Sequence, residues 1–229
     1  MLISPDGRIK LADFGLARIF QAPPRPLIDD KTVVTRWYRS PELILGARHY
    51  TPAVDVWSLG ALFGELILLG PLFQGGAEEP DGMAKDQLLR IFERLGRPDA
   101  AVWPTLIEMP LWDQASQWTA ELAACPSHQD GTRMLRELLT RRMMVQGRKV
   151  SPAECNAAIN ALLLMLAFDP SQRIICKAAK ELPFFANANP AQLRGNVLAE
   201  FGSNWQSFYV GNSRAQASVI SHEKKPENV

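Results

Sequence analysis

The sequence predicts a mainly α-helical domain that carries one short β-hairpin at its amino end. Three observations carry that reading: a Pro5-Asp6-Gly7 turn between short apolar runs, a marked helix from Thr51 to Leu69, and a capping box at Ser151-Pro152-Ala153-Glu154. In the hairpin Pro5 presets φ, Asp6 bonds the local backbone and Gly7 takes a positive φ. Ile9, Leu11 and Asp13 then alternate with Arg8, Lys10 and Ala12, the period of a strand that delivers Asp13 to its end. A hairpin by itself is marginal in water. Residues 19–36, with Pro23, Pro24, Pro26, Asp29 and Asp30, read as loop.

The next helix has Thr51 as N-cap, Pro52 at its first position and Gly70-Pro71 as its stop. Its apolar residues, among them Val54, Trp57, Leu59, Leu62, Leu66 and Leu69, fall on nearly every face, which predicts burial all round. An amphipathic helix comes next from Asp86 to Leu95, after a Gly- and acid-rich loop at 74–82. Residues 97–118, rich in Pro and Trp, read as irregular. Residues 132–145 predict a helix with a basic face (Arg133, Arg136, Arg141, Arg142), either solvated charge or a phosphate-binding patch. The capping box opens a helix through Phe168 that Asp169-Pro170 ends, and a last helix runs from Cys176 to Leu182. Residues 211–229 are polar and aromatic-free, the composition of a disordered tail.

Composition narrows the function class. With 229 residues, 47% hydrophobic and 21% charged, the chain can bury one good-sized core. A net charge of +1 gives no drive toward nucleic acid or a membrane surface. Asp55 and Glu65 interrupt the longest apolar stretch, so it reads as a soluble helix. The first residues lack the basic and apolar regions of a signal peptide. Cys125, Cys155 and Cys176 are widely spaced, which argues against a disulfide framework or zinc site and favours small buried hydrophobes. No Gly-x-Ser-x-Gly elbow accompanies His49, His128 or His222, and His128 reads as a loop residue, so a hydrolase triad fails.

Asp13-Phe14-Gly15, closed by Ser40-Pro41-Glu42, resembles the two ends of a protein-kinase activation segment. The run 10–18, the run 33–50 (Val-Val-Thr-Arg-Trp-Tyr-Arg-Ser-Pro-Glu and onward), Asp55-Val-Trp-Ser-Leu-Gly60 and Asp169-Pro170 with Arg173 resemble a cyclin-dependent kinase in order and spacing. Residues 18–27, 45–51 and 71–74 are most similar to the Mediator-associated, cyclin C-dependent subfamily. The resemblance fades between about 97 and 130 and beyond about 190. It implies the carboxyl-terminal, large lobe of the eukaryotic protein-kinase fold over residues 1–186, with an activation segment at 13–42, a helical lobe at 51–186 and an extension at 187–229.

By that resemblance Asp13 would hold Mg²⁺ on the ATP phosphates, Phe14 would be the switch beside it and Gly15 the joint. Thr35 with Trp37, Tyr38 and Arg39 would form the shelf for the residue after the target Ser or Thr, Pro in this family. Arg36 departs from the apolar residue usual there, which puts that preference in doubt. Glu42 would pair with Arg173, and Asp55 would accept backbone N–H bonds from the catalytic loop. Asp30 stands where many relatives carry an activating phosphothreonine, with Arg18 at the place of a phosphate-clamping arginine. Asp30 is either a partial stand-in for phosphate, which puts activation on cyclin binding, or a solvated loop residue. The family implies a cyclin C-like partner, the Mediator kinase module, protein substrates, and a nuclear, also cytoplasmic, location.

The 229 residues contain no Gly-x-Gly-x-x-Gly loop, ATP-binding lysine strand or His-Arg-Asp…Asn catalytic loop. Without that loop's Asp and Asn, no base takes the hydroxyl proton and the second Mg²⁺ loses a ligand. The expectation is that this chain alone transfers no phosphate. A truncated gene model and a naturally short protein are both open, as are the half-kinase reading and a lobe that only binds partners. Apolar surface around Leu2, Ile3 and Phe14 predicts poor solubility when the lobe is expressed alone.

Overall fold

The computed structural model describes residues 2–3, 9–15, 17, 36–49, 51–76, 84–145 and 150–186. The described hairpin residues belong to one compact unit and residues 36–186 to another, and each is treated by itself. In the first unit β1 (Leu2–Ile3) and β2 (Ile9–Lys10) pair antiparallel, Leu2 opposite Lys10 and Ile3 opposite Ile9. The Pro5-Asp6-Gly7 turn lies outside the described residues. Strand β2 ends at Lys10, well before Asp13. Alternation marks what a strand could bury, while a ladder also needs residues opposite.

The second unit, in its described residues, forms helices joined by turns and loops, with an isolated bridge between Arg97 and Ser127. Its elements are α1 (Pro41–Ile44), α2 (Ala53–Leu68), α3 (Lys85–Leu95), α4 (Trp112–Ser116), α5 (Thr119–Ala124), α6 (His128–Val145), α7 (Pro152–Met165), α8 (Cys176–Ala179) and α9 (Pro183–Ala186). The α7 capping box is present in both halves. Ser151 Oγ accepts from the Glu154 N–H at 3.2 Å, and Glu154 Oε2 accepts from the Ser151 N–H at 2.8 Å. The Ser151 N–H first, then the Ser151 hydroxyl, which donates to Glu154 Oε2 at 2.7 Å, hold the Glu154 carboxyl below its ordinary pKa.

Several elements differ from their sequence reading. Helix α2 starts at Ala53, with Pro52 just ahead of it and Thr51 Oγ1 accepting from the Ala53 N–H at 3.3 Å. At its other end Leu69, not Gly70, takes the left-handed turn, with φ 58°. Gly70 precedes a proline, which biases it toward extended backbone, so the reversal falls one residue earlier. Nor is α2 buried all round: Trp57, Gly60, Ala61, Gly64 and Ile67 are buried, whereas Leu66 and Leu69 are 60% and 67% exposed. The buried face is where α6 and α7 pack, and a Cβ on Gly64 would come within 2.5 Å of Leu72 Cδ2. Close approach on one side leaves the opposite leucines outward.

Helix α6 begins at His128, before the predicted 132, because Ser127 Oγ accepts from the Asp130 N–H at 3.2 Å and caps it. The stretch 97–118 holds a short 3₁₀ turn at Leu106–Glu108 as well as α4. Single turns are too short to show a period. The predicted last helix, Cys176 to Leu182, stops at Ala179, and a further short helix, α9, opens beyond it at Pro183. Of the cysteines only Cys155 is buried; Cys176 is exposed, which corrects its reading as a core residue.

The core gathers on Phe168. Its ring lies 6.0 Å from Trp57, 5.8 Å from Phe92, 6.3 Å from Trp103 and 5.4 Å from His128, and Trp57 in turn stacks on Phe73 at 5.7 Å. Among the described residues no helix is long and apolar enough to cross a membrane.

Candidate functional site

Arg173 lies beyond the end of α7 and is 3% exposed, buried against the aromatic core. Its side chain grips Glu42 at the start of α1 in a two-point pair, Nη1 to Oε1 at 2.7 Å and Nη2 to Oε2 at 3.0 Å. The remaining donors go to carbonyls: Nη1 to Ala53 at 2.9 Å, Nη2 to Phe168 at 3.2 Å and Nε to Ala167 at 3.0 Å. All five N–H groups of the guanidinium are therefore used. The cation also sits 5.1 Å from the centre of the Trp57 ring. One side chain thus ties the end of the predicted activation segment to α2 and to the chain after α7.

Residues 36–39 lead into α1. The Trp37 indole Nε1 donates to the Gly75 carbonyl at 2.9 Å. The Tyr38 hydroxyl donates to Glu65 Oε2 of α2 at 2.6 Å, and Ser58 Oγ of α2 donates to the Tyr38 carbonyl at 2.8 Å. Burial first, then the hydrogen bond and charge of Glu65, push the Tyr38 pKa up to about 12. Asp55 lies on the first turn of α2 and is exposed.

In the other unit Asp13 adopts φ 64°, a left-handed conformation that costs a non-glycine residue about 1–2 kcal/mol. The Gly15 N–H donates to Asp13 Oδ1 at 3.3 Å, and the Ala17 N–H to the Phe14 carbonyl at 3.0 Å, which closes a tight turn. Phe14 is 66% exposed. Among the described residues no group of three or more His, Cys, Asp or Glu is placed to hold a metal. Asp13 fits a single-carboxylate role, which suits Mg²⁺ when phosphates and water supply its other ligands.

Arg18, Asp30 and Thr35 lie outside the described residues. On the basic face of α6, Arg133 bonds Asp130 and Glu137, Arg136 donates to Asn160 Oδ1 at 2.8 Å, and Arg142 to the Leu68 carbonyl at 3.2 Å. Three of its four arginines thus have protein partners, which favours a structural role over a phosphate patch. His128 is half-buried on α6, not in a loop, with Nδ1 2.9 Å from the Leu95 carbonyl. A carbonyl only accepts, so the proton is on Nδ1. Sequence reading missed Glu65, Ser58 and Gln87. The available signal was polarity at core positions, such as Gln87 beside Leu88 and one turn before Ile91.

A helical unit whose buried Arg grips the Glu of a Ser-Pro-Glu run, with Asp-Phe-Gly in a tight turn upstream, has the marks of a phosphotransferase lobe. A sequence profile described as "Protein kinase domain" matches residues 1–185, so the chain belongs to the protein kinase family. It is 41% identical over 181 residues to "Cyclin-dependent kinase E-1" of Arabidopsis thaliana, covering 78% of this chain and 35% of that one. To "Probable cyclin-dependent kinase 8" of Dictyostelium discoideum it is 38% identical over 185 residues, 78% of this chain and 42% of the relative. To "Serine/threonine-protein kinase ssn3" of Aspergillus niger it is 34% identical over 199 residues, 83% and 46% respectively. The chain thus spans less than half the length of these curated relatives.

Proposed function

We propose that the chain is the carboxyl-terminal lobe of a Ser/Thr protein kinase of the Mediator-associated, cyclin C-dependent kind. The complete enzyme moves the γ-phosphoryl group of ATP to protein hydroxyls with Pro next in sequence, and acts in the nucleus on transcription proteins. The observation that carries the reading is the Arg173 clamp on Glu42, which pins the far end of a segment that begins at Asp-Phe-Gly. Likeness to relatives named cyclin-dependent kinases supports the cyclin partner.

In that enzyme Asp13 holds Mg²⁺, which neutralises charge on the phosphates. Trp37, Tyr38 and Arg39, with Thr35, receive the residue after the target hydroxyl. Asp30 stands at the sequence position of a loop phosphate and Arg18 at that of a phosphate-clamping arginine, so cyclin binding activates the enzyme. The domain boundary falls near 186. By itself the 229-residue chain is inactive, because it carries neither the catalytic-loop Asp and Asn nor the ATP-binding Lys. A second reading, a lobe that only binds partners, draws on one observation: Leu2, Ile9, Leu11 and Phe14 are 61%, 68%, 69% and 66% exposed.

The test begins with the codons upstream of Met1. A product extended to include a catalytic loop and a glycine loop, assayed with a cyclin C-like partner and a Ser-Pro peptide, is expected to transfer phosphate. Asp13→Asn should abolish that transfer. If the extended product binds the cyclin but stays inactive, the catalytic reading falls and the binding lobe stands.

A further inference from the structure

Gln87 lies on α3 between core residues, yet it is polar and only 3% exposed. A buried amide is costly unless its groups are paired. Here both ends are used on one stretch of backbone: Nε2 donates to the Phe73 carbonyl at 3.0 Å, and Oε1 accepts from the Gly75 N–H at 3.2 Å. The two backbone groups leave the amide only one orientation, since a carbonyl accepts and an N–H donates. Gly75 makes room for it. A Cβ there would lie 2.6 Å from Gln87 Oε1 and 3.0 Å from Gln87 Cα. The Gly75 carbonyl then accepts the Trp37 indole N–H at 2.9 Å.

A continuous path therefore runs from the rigid face of α3 through the Gln87 amide and the Phe73–Gly75 backbone to Trp37. On the other side of the same segment, Glu65 and Ser58 of α2 hold Tyr38. Residues 37 and 38 are thus gripped from two helices at once. We propose that Gln87 is a positioning residue for the 36–39 segment: it sets the Gly75 carbonyl, which sets the Trp37 indole and the backbone that carries it. The inference rests on the reading of that segment as the substrate shelf. It assigns to a residue 50 positions downstream of Trp37 a part in selecting the substrate residue next to the target hydroxyl.

The test uses the 229-residue chain with labelled tryptophan indoles and monitors their hydrogen exchange by NMR. In Gln87→Met, which keeps the length and loses both bonds, the Trp37 indole proton should exchange roughly tenfold faster or more, while Trp57 and Trp103 keep their rates. Gly75→Ala, which displaces the amide, should give the same pattern. An unchanged Trp37 rate overturns the inference, and so does equal acceleration of all three indoles, which marks a merely structural glutamine.

Affinities for a Ser-Pro and a Ser-Ala peptide are measured alongside. The preference for Ser-Pro should narrow in Gln87→Met by roughly the factor seen for the indole. A preference that survives while Trp37 is loosened overturns the positioning role. If the unsubstituted chain has no preference, the shelf reading falls, and the exchange data still decide the Gln87–Trp37 link. Should Gln87→Met not fold, Trp37→Phe removes only the indole donor. An intact Ser-Pro preference in that variant overturns the proposal.

Discussion

Around Arg173 every donor has an acceptor, and the Trp57 ring, itself packed on Phe168, lies over the guanidinium that pairs with Glu42. Around Asp13 the setting is the reverse. The turn is held by two local backbone donors, and Leu11, Phe14 and Asp13 face solvent. Both places carry a family motif, but only one has its supporting shell among the described residues. The Glu42 end of the segment is thus held by the surrounding core, whereas Asp13 sits in a strained local turn.

That contrast can be broken by substitution. Arg173→Met should cost about 3–5 kcal/mol, because it leaves the Glu42 carboxylate buried without its partner. Arg173→Lys should recover little, since an ammonium cannot form the two-point pair and three carbonyl bonds together. Urea unfolding checks both. A loss under about 1 kcal/mol would mean the clamp is not a strong anchor.

Tyr38→Phe is the next largest, at about 1 kcal/mol for one lost hydrogen bond to a carboxylate. The folded-state pKa is raised, so this stabilisation is complete below pH 10 and is lost as pH rises toward about 12. An alkaline titration of the melting temperature should show that slope in the parent and not in Tyr38→Phe.

His128 works at the other end of the scale. Burial lowers its pKa below 6.5, partly offset by the Leu95 carbonyl and the charge of Asp99. The folded state favours neutral imidazole, so its contribution is intact above 6.5 and declines as pH falls below that. His128→Gln should flatten the acid side of a stability–pH curve taken between about pH 7.5 and pH 5. An equal slope in both proteins would place the proton uptake elsewhere.

The smallest effects belong to the Asp13 turn. Phe14→Ala should change stability by no more than about 0.5 kcal/mol, given its exposure. Asp13→Gly should stabilise the turn by at most about 1 kcal/mol, since glycine takes a positive φ without strain. Its measured effect on turn stability sharpens the comparison directly. A clear loss in either variant would show that the turn is supported beyond its local bonds.

Features that depend on neighbours along the chain could be read ahead of the structure. The α7 capping box needs only Ser151 and Glu154, three residues apart, and it is present in both halves. The amphipathic period of α3 sets Leu88, Leu89, Ile91, Phe92 and Leu95 at helical spacing, and all but the half-buried Leu89 are buried. Short-range rules also failed where tertiary contact decided. Helix α2 carries apolar residues on nearly every face, yet which leucines face outward depended on where α6 and α7 settle.

The helical class, the family blocks and the local caps were legible in the residues alone, because periods, turn residues and capping pairs act within a few positions along the chain. It took the packing of the helices to decide that Arg173 spends its donors on Ala53, Ala167 and Phe168 as well as Glu42, that Tyr38 meets Glu65, and that Gln87 reaches Trp37 through Gly75. Most of those bonds join residues more than ten positions apart. Burial requires polar groups to find partners, but chain packing alone selects which partners come within reach.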